Sequence, residues 1–343
     1  MGAEPTTPWA RLRQIHRLVL AFLAVFVAAG ATGCGASAGM SSSRAARPDA
    51  PRRRSGPASV RLAYRPLFAL SAAVQDPASA ALADGRFVLL GGLDAADTST
   101  AVVTEAGEHG ARSGGSLPGA QHDAQAASLA GAVYVFGGGQ LSQYNHILRW
   151  APPVGPATAV GALPNPESDV AVTELGGTAY VVGGFDGSSA LDTIVAWRPG
   201  GPARVAARLP VALRYAAVAA ADGAILILGG STPAGASRAI YRFTPGTGTV
   251  RQIGRLPEGT THAGAAVLGS TVYLVGGRGD SADSRTAAVY AVDPASGKVT
   301  PAGHLPQPLS DAAVVSLRGA IIVAGGHSPA ATVAGVGELT PVG

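Results

Sequence analysis

The chain of 343 residues is 47% hydrophobic and contains 48 glycines and 25 prolines, whereas only 13% of its residues are charged. This composition disfavours long helices and argues against a helical bundle. Residues 1–57 carry a net charge of +6 and the whole chain carries +4, so the remaining residues carry −2. This distribution gives no support for the basic footprint of a nucleic-acid-binding domain.

The first 33 residues have the pattern of an export signal. Three arginines precede an uninterrupted apolar run at 18–29, and small residues follow it. The run is shorter than the apolar segment of a typical membrane-spanning helix. The run ends in Ala-Thr-Gly-Cys at 31–34. This tetrapeptide resembles the bacterial lipobox, although leucine is more usual at the position of Ala31.

The lipobox resemblance implies that residues 1–33 are removed as a signal peptide and that Cys34 is lipidated. The chain is then expected to be exported and lipid-anchored at the outer face of the cytoplasmic membrane. An uncleaved anchor and ordinary cleavage that leaves a free Cys34 remain as alternatives. Cys34 is the only cysteine, so an intrachain disulfide and a cysteine-built metal site are excluded.

Residues 34–57 are predicted to be a disordered basic linker. They consist mainly of glycine, alanine, serine, proline and five arginines, and they cannot bury enough apolar surface to order the chain. The arginines either contact anionic lipid headgroups or only keep the linker soluble, and both interpretations are open.

Two sequence markers repeat in fixed phase through the rest of the chain. An apolar run ending in a diglycine occurs six times, with spacings of 46, 46, 46, 47 and 49 residues, and a Leu-Pro pair precedes each of the last five diglycines by 20 residues. The diglycines begin at Gly91, Gly137, Gly183, Gly229, Gly276 and Gly325.

The repeat length predicts four short strands per unit, labelled a to d. The runs before the diglycines are rich in β-formers and do not alternate with polar residues, which indicates strands covered on both faces. Such strands suit a propeller blade between two neighbours better than a sandwich with one wet face.

These units resemble the kelch repeat over residues 58–343. Tyr134, Tyr180 and Tyr273 match the tyrosine three residues before the diglycine, and Trp150 and Trp197 match the strand-c aromatic. The strand-d tryptophan of the family is missing. The resemblance implies an all-β, six-bladed kelch-type β-propeller.

The last repeat contains a strand c but no strand d after it. The segment at 58–70 has strand-d character and lies one register ahead of the first repeat. We therefore predict that this N-terminal strand closes the last blade and removes the exposed edge of an open array.

Polar residues cluster where the b-to-c and d-to-a loops should meet on one face of the propeller. Fourteen residues before the diglycines, the column reads Pro77, Asp123, Asp169, Tyr215, His262 and Asp311. Aspartate and serine at loop ends also cap turns, which is the structural alternative for each residue. The predicted ligand-binding residues are Asp123, Asp169, Arg214, Tyr215, His262, Arg278, Asp311 and His327.

The sequence favours a binding module over an enzyme, because no nucleophile, base and orienting group stand in a recognisable set. No metal, cofactor or nucleic acid is expected, and the chain is expected to be a monomer. The expected partner is a glycan or an envelope protein. The alternative is a sugar-modifying enzyme similar to the kelch-type sialic acid mutarotases, because opening a sugar ring needs only acid and base groups.

Overall fold

The computed structural model describes residues 60–152 and 154–342, so the leader, Cys34 and the linker to residue 57 lie outside the described residues. The described part contains a 3-10 turn at Ala282–Ser284 and no helix that is long and apolar enough to cross a membrane. In chain order the strands are β1 (Leu62–Ala69), β2 (Ala78–Ala81), β3 (Phe87–Leu90), β4 (Thr100–Gly107), β5 (Gly110–Leu129), β6 (Ala132–Gly139), β7 (His146–Trp150), β8 (Gly155–Pro156), β9 (Thr158–Ala162), β10 (Ala171–Leu175), β11 (Thr178–Val182), β12 (Leu191–Trp197), β13 (Arg204–Leu213), β14 (Ala217–Ala221), β15 (Ala224–Leu228), β16 (Ser231–Thr232), β17 (Gly235–Ala236), β18 (Ala239–Thr244), β19 (Thr249–Arg255), β20 (Gly264–Leu268), β21 (Thr271–Val275), β22 (Ala288–Val292), β23 (Val299–His304), β24 (Ala313–Leu317), β25 (Ala320–Ala324) and β26 (Gly335–Pro341).

These strands form antiparallel four-stranded blades, with β8 and the small β16–β17 hairpin as additions. Blade 3 is β10–β13, blade 4 is β14, β15, β18 and β19, and blade 5 is β20–β23. Blades 1 and 2 share the long strand β5, whose residues 110–121 pair with β4 and whose residues 122–129 pair with β6. Blade 1 therefore starts at β2, and blade 2 ends at β9.

Blade 6 joins the two ends of the propeller. Its order from the inside is β24, β25, β26 and β1, and β1 runs antiparallel to β26, with Leu62 opposite Pro341 and Ala69 opposite Gly335. Each innermost strand contacts the innermost strand of the next blade, and β24 contacts β2. The prediction of a six-bladed ring closed by an N-terminal strand is confirmed.

The second strand of each blade is buried on both faces. In β3, Phe87 and Leu89 pack against blade 6, whereas Val88 and Leu90 pack against blade 2. Equivalent apolar clusters fill the spaces between the other neighbouring blades. This packing explains why the strand lacks polar alternation, and burying each such side chain stabilises the fold by roughly 1.5–3 kcal/mol.

The strand-c position of the repeat is buried in each blade of the described chain. In blade 2 the indole Nε1 of Trp150 also donates a hydrogen bond of 2.8 Å to the Gly114 carbonyl of blade 1. The six buried residues are Ala106, Trp150, Trp197, Phe243, Val292 and Leu339.

The diglycines allow a close approach between backbones. The N–H of the second glycine donates to a carbonyl of the loop that leads into the next blade, as in Gly230 to Thr260 at 2.8 Å. The first glycine has a positive φ, +65° at Gly229, and a Cβ there would overlap the same carbonyl. Only glycine meets both requirements without strain.

The ends of the blades form two faces, which we name by their connections. The loop face carries the b-to-c and d-to-a loops, which are bridged by backbone pairs such as Arg214 with Ser231 and Thr261 with Arg278. The turn face carries the tight a-to-b and c-to-d turns.

Candidate functional site

Six residues at the start of the innermost strands form what we call the axial ring. Each has a left-handed backbone, with φ between 51° and 61°. The N–H of five of them donates to the carbonyl of the ring residue in the preceding blade, at 2.8–3.1 Å. The axial ring consists of Asp76, Asp123, Asp169, Tyr215, His262 and Asp311.

The structure corrects the predicted column at one position. Pro77 was expected to occupy it in blade 1, but Asp76 has the left-handed backbone and donates its N–H to Asp311. Blade 1 is one residue longer between the ring and the diglycine than the repeat predicts. The other five predicted members of the column lie in the ring.

The four aspartates of the axial ring are placed as two pairs. The largest charge interaction of Asp123 is with Asp169, and that of Asp76 is with Asp311. Burial and then the negative charges of the neighbouring aspartates raise the pKa values of Asp76 and Asp123 well above the usual range. A carboxyl group beside other carboxylates is harder to ionise, because their negative charges repel its charged form.

Arg214 and Tyr215 bind the aspartates of blades 2 and 3. The guanidinium of Arg214 donates to Asp169 at 2.9 Å and lies 4.6 Å from the centre of the Phe185 ring. The hydroxyl of Tyr215 donates to Asp123 at 3.2 Å. Arg214 therefore has a fixed orientation, although more than a third of its side chain is exposed to solvent.

His262 stacks on Tyr215, with 3.8 Å between the ring centres. Its Nε2 lies 3.0 Å from Arg278, which only donates hydrogen bonds, so Nε2 accepts and Nδ1 carries the proton toward Thr261 Oγ1 at 3.0 Å. Burial, followed by the charges of nearby arginines, lowers the pKa of His262 to about 3. The imidazole is therefore neutral in the folded protein at physiological pH.

Asp311 faces a basic group of side chains in blades 5 and 6. Burial raises its pKa, whereas a hydrogen bond from Ser310 and the charges of Arg278, Arg285 and His327 oppose that rise. Arg285 donates to Ser310 Oγ at 3.0 Å, and His327 Nδ1 donates to the Ser328 carbonyl at 2.6 Å. The axial ring is thus flanked by three arginines.

A cavity of about 210 Å³ opens on the loop face above blades 2–4. Its polar lining comes from Asp123, Asp169, Arg214 and Tyr215 together with His122, and the b-to-c loop at 139–143 forms one wall. Four of the eight predicted ligand-binding residues thus line this cavity. The other four, His262, Arg278, Asp311 and His327, lie on the same face in blades 5 and 6.

Asp76, Arg285 and Glu167 were not among the ligand-binding residues predicted from the sequence. Asp76 was misplaced by the extra residue of blade 1, and Arg285 lies in a b-to-c loop whose length is peculiar to blade 5. Glu167 is buried, its Oε1 has no hydrogen-bond partner in the described chain, and burial raises its pKa to about 8. No group of three or more His, Cys, Asp or Glu side chains within residues 60–152 and 154–342 is arranged to hold a metal ion.

Comparison with known proteins supports the fold alone. No family model and no curated protein matches the chain. The solved structure of YjhT superposes with a TM-score of 0.68 over 80% of this chain and 97% of that one, at 14% sequence identity. Together with the closed ring of blades, this similarity identifies the fold as a six-bladed kelch-type β-propeller.

Proposed function

We propose that this propeller is a binding module for a small hydroxyl-rich ligand, such as one sugar unit of a glycan, at the loop face. The observation that carries the proposal is the cavity in which Arg214 and two aspartates converge beside Phe185. Guanidinium N–H groups donate to ligand oxygens, and carboxylates accept from ligand hydroxyls. The cavity is smaller than the roughly 300–1,000 Å³ of pockets for drug-sized molecules, which favours a ligand of one ring.

Contacts within the protein hold the polar groups of the site in place, which supports the binding of one ligand of defined shape. The ring stack of Tyr215 and His262 and the ion pair of Arg214 with Asp169 hold the polar groups before any ligand arrives. Preorganised groups lose little conformational entropy on binding. The sequence pattern typical of an export signal and the lipobox-like tetrapeptide support a cell-envelope location, so a glycan or an envelope protein is the proposed partner.

Binding is tested by saturation-transfer NMR with monosaccharides and soluble cell-wall glycan fragments. Arg214→Ala should weaken binding about tenfold or more, because hydrogen bonds to charged groups contribute roughly 1.5–3 kcal/mol. Arg251→Ala, on the exposed outer strand β19, is the matched control and should bind normally. Absence of saturation transfer from every sugar, or equal affinity in Arg214→Ala, would refute the proposal for glycans.

A sugar-modifying activity is the second candidate, and the carboxyl pairs of the axial ring favour it. Burial and the negative charge of Asp169 raise the pKa of Asp123, which favours the protonated form that a general acid requires. NMR of anomer exchange distinguishes the two functions. If the protein accelerates anomer exchange and Asp123→Asn does not, the protein is a catalyst. Binding of a sugar without faster anomer exchange would support the binding module.

A further inference from the structure

A second pocket lies on the turn face, away from the axial ring. It occupies about 590 Å³ where the a-to-b turn of blade 6 meets the turns of blade 1. This volume falls within the range of small-molecule sites. The charged residues that line it are Asp84, Arg86, Glu105, Glu108, His109, Arg112 and Arg318.

The carboxylate of Glu105 is fully buried between two arginines. Arg112 donates to Glu105 Oε1 from Nη2 at 2.7 Å and from Nε at 3.2 Å, and Arg86 pairs with the same oxygen. The second oxygen, Oε2, has no hydrogen-bond partner in the described chain. Two guanidinium groups thus surround one carboxylate that keeps an unused acceptor.

Arg318 brings a third guanidinium across the junction of blades 6 and 1. It lies against Gly85, where a Cβ would overlap the guanidinium, and its Nη2 donates to the Asp84 carbonyl at 2.8 Å. An arginine has five N–H donors, and this neutral carbonyl is the one hydrogen-bond partner of Arg318 among the described residues. Its charge is therefore not neutralised by an ion pair there.

The charged side chains around the pocket are not all paired with a side chain of opposite charge. Asp84 and Glu105 both pair with Arg86, and Glu108 and His109 lie on the exposed c-to-d turn. Arg112 shares Glu105 Oε1 with Arg86, and Arg318 has a carbonyl alone. Three guanidinium groups and three carboxylates line the pocket, and Arg318 is the one of these arginines without a carboxylate partner in the described chain. Planar guanidinium groups suit phosphate or carboxylate oxygens.

We propose that this pocket binds a small phosphorylated ligand that also carries a hydroxyl group. Arg112 and Arg318 bind the phosphate oxygens, and a lining carboxylate accepts the hydroxyl. The same chemistry occurs in a free polyol phosphate and in the headgroup of a glycerol-based anionic lipid. Occupation would also link blade 1 to blade 6, so the ligand should stabilise the closed ring.

The test is isothermal titration and thermal unfolding of the purified full-length protein at constant ionic strength. The probes are inorganic phosphate, glycerol 3-phosphate and glycerophosphoglycerol, which carries the phosphodiester of a lipid headgroup. Glycerol 3-phosphate or glycerophosphoglycerol should bind more tightly than inorganic phosphate and should raise Tm with concentration. Preference for the diester indicates a lipid headgroup, and preference for the monoester indicates a soluble phosphate.

Variants localise the binding to this pocket. Arg318→Asn retains a residue that tolerates the left-handed backbone of Arg318, and it should weaken binding about tenfold, as should Arg112→Ala. Arg149→Ala, at an exposed position of β7, is the matched control and should bind like the wild type. Lack of binding by all three probes, or equal affinity in Arg318→Asn and Arg112→Ala, would overturn the proposal.

Discussion

The axial ring residues combine two features that are unfavourable for single residues. A left-handed backbone is strained for a residue with a side chain, and an aspartate buried among other aspartates resists ionisation. Hydrogen bonds between neighbouring blades hold the backbone in this conformation. Such strained, desolvated polar groups concentrate at functional sites, which is why we place the proposed ligand here.

Glu167 should make the protein less stable as the pH rises. Burial raises its pKa from 4.5 to about 8, so between these values the folded chain keeps a proton that the unfolded chain releases. Because the folded state then binds more protons, the free energy of unfolding falls from pH 4.5 to pH 8. Each unit of pKa difference corresponds to about 1.4 kcal/mol, so the total loss is several kcal/mol.

Glu167→Gln mimics the protonated carboxyl and should remove most of this pH dependence. Urea unfolding at pH 5 and pH 8 measures it, and the variant should be the more stable protein at pH 8. Glu258→Gln, on an exposed loop, is the control. If the free energy of unfolding differs between pH 5 and pH 8 by the same amount in Glu167→Gln as in the wild type, Glu167 does not hold a proton in the folded state.

At the scale of elements, the diglycine at the end of each second strand allows the close backbone contact with the loop that leads into the next blade. Gly229→Ala should destabilise the protein by about 1–3 kcal/mol or more, because it places a Cβ at φ +65° against the Thr260 carbonyl. Gly246→Ala is the control, since its Cβ would enter open space in a turn. Thermal unfolding compares the two variants, and equal Tm values would argue against the close backbone approach.

Strand β1 should contribute to the stability of the whole ring. A chain that begins at Ser71 lacks the outermost strand of blade 6, which exposes the edge of β26 and removes Leu62 from the cluster between blades 5 and 6. Both Tm and solubility should fall. Equal thermal stability with and without residues 60–70 would contradict closure by β1, and two separate unfolding transitions of the intact chain would indicate independent halves.

At the scale of the whole molecule, repeat spacing was sufficient to predict the propeller. Six diglycines in phase with Leu-Pro pairs reflect a backbone contact that every blade must make, so the fold is readable from one sequence. The sequence predicted Pro77 in place of Asp76, because blade 1 has one extra residue between the axial ring and the diglycine, and nothing in the composition marks that insertion. The turn-face pocket was not predicted, because Arg318 and Arg112 are more than 200 positions apart in the sequence and meet only when the ring closes.

The location of the molecule depends on Cys34, which remains a prediction from the sequence at 31–34. If Cys34 is lipidated, the wild-type protein should fractionate with membranes and resist extraction by high salt, because an acyl anchor is apolar and salt screens only charge. Cys34→Ala should release most of the protein into the soluble exported fraction or leave it with an uncleaved leader of higher mass. Replacing the five linker arginines with glutamine tests the electrostatic contribution separately, since each arginine near an anionic surface contributes roughly 1 kcal/mol. Identical membrane partition and mass in wild type and Cys34→Ala would mean that Cys34 is not lipidated.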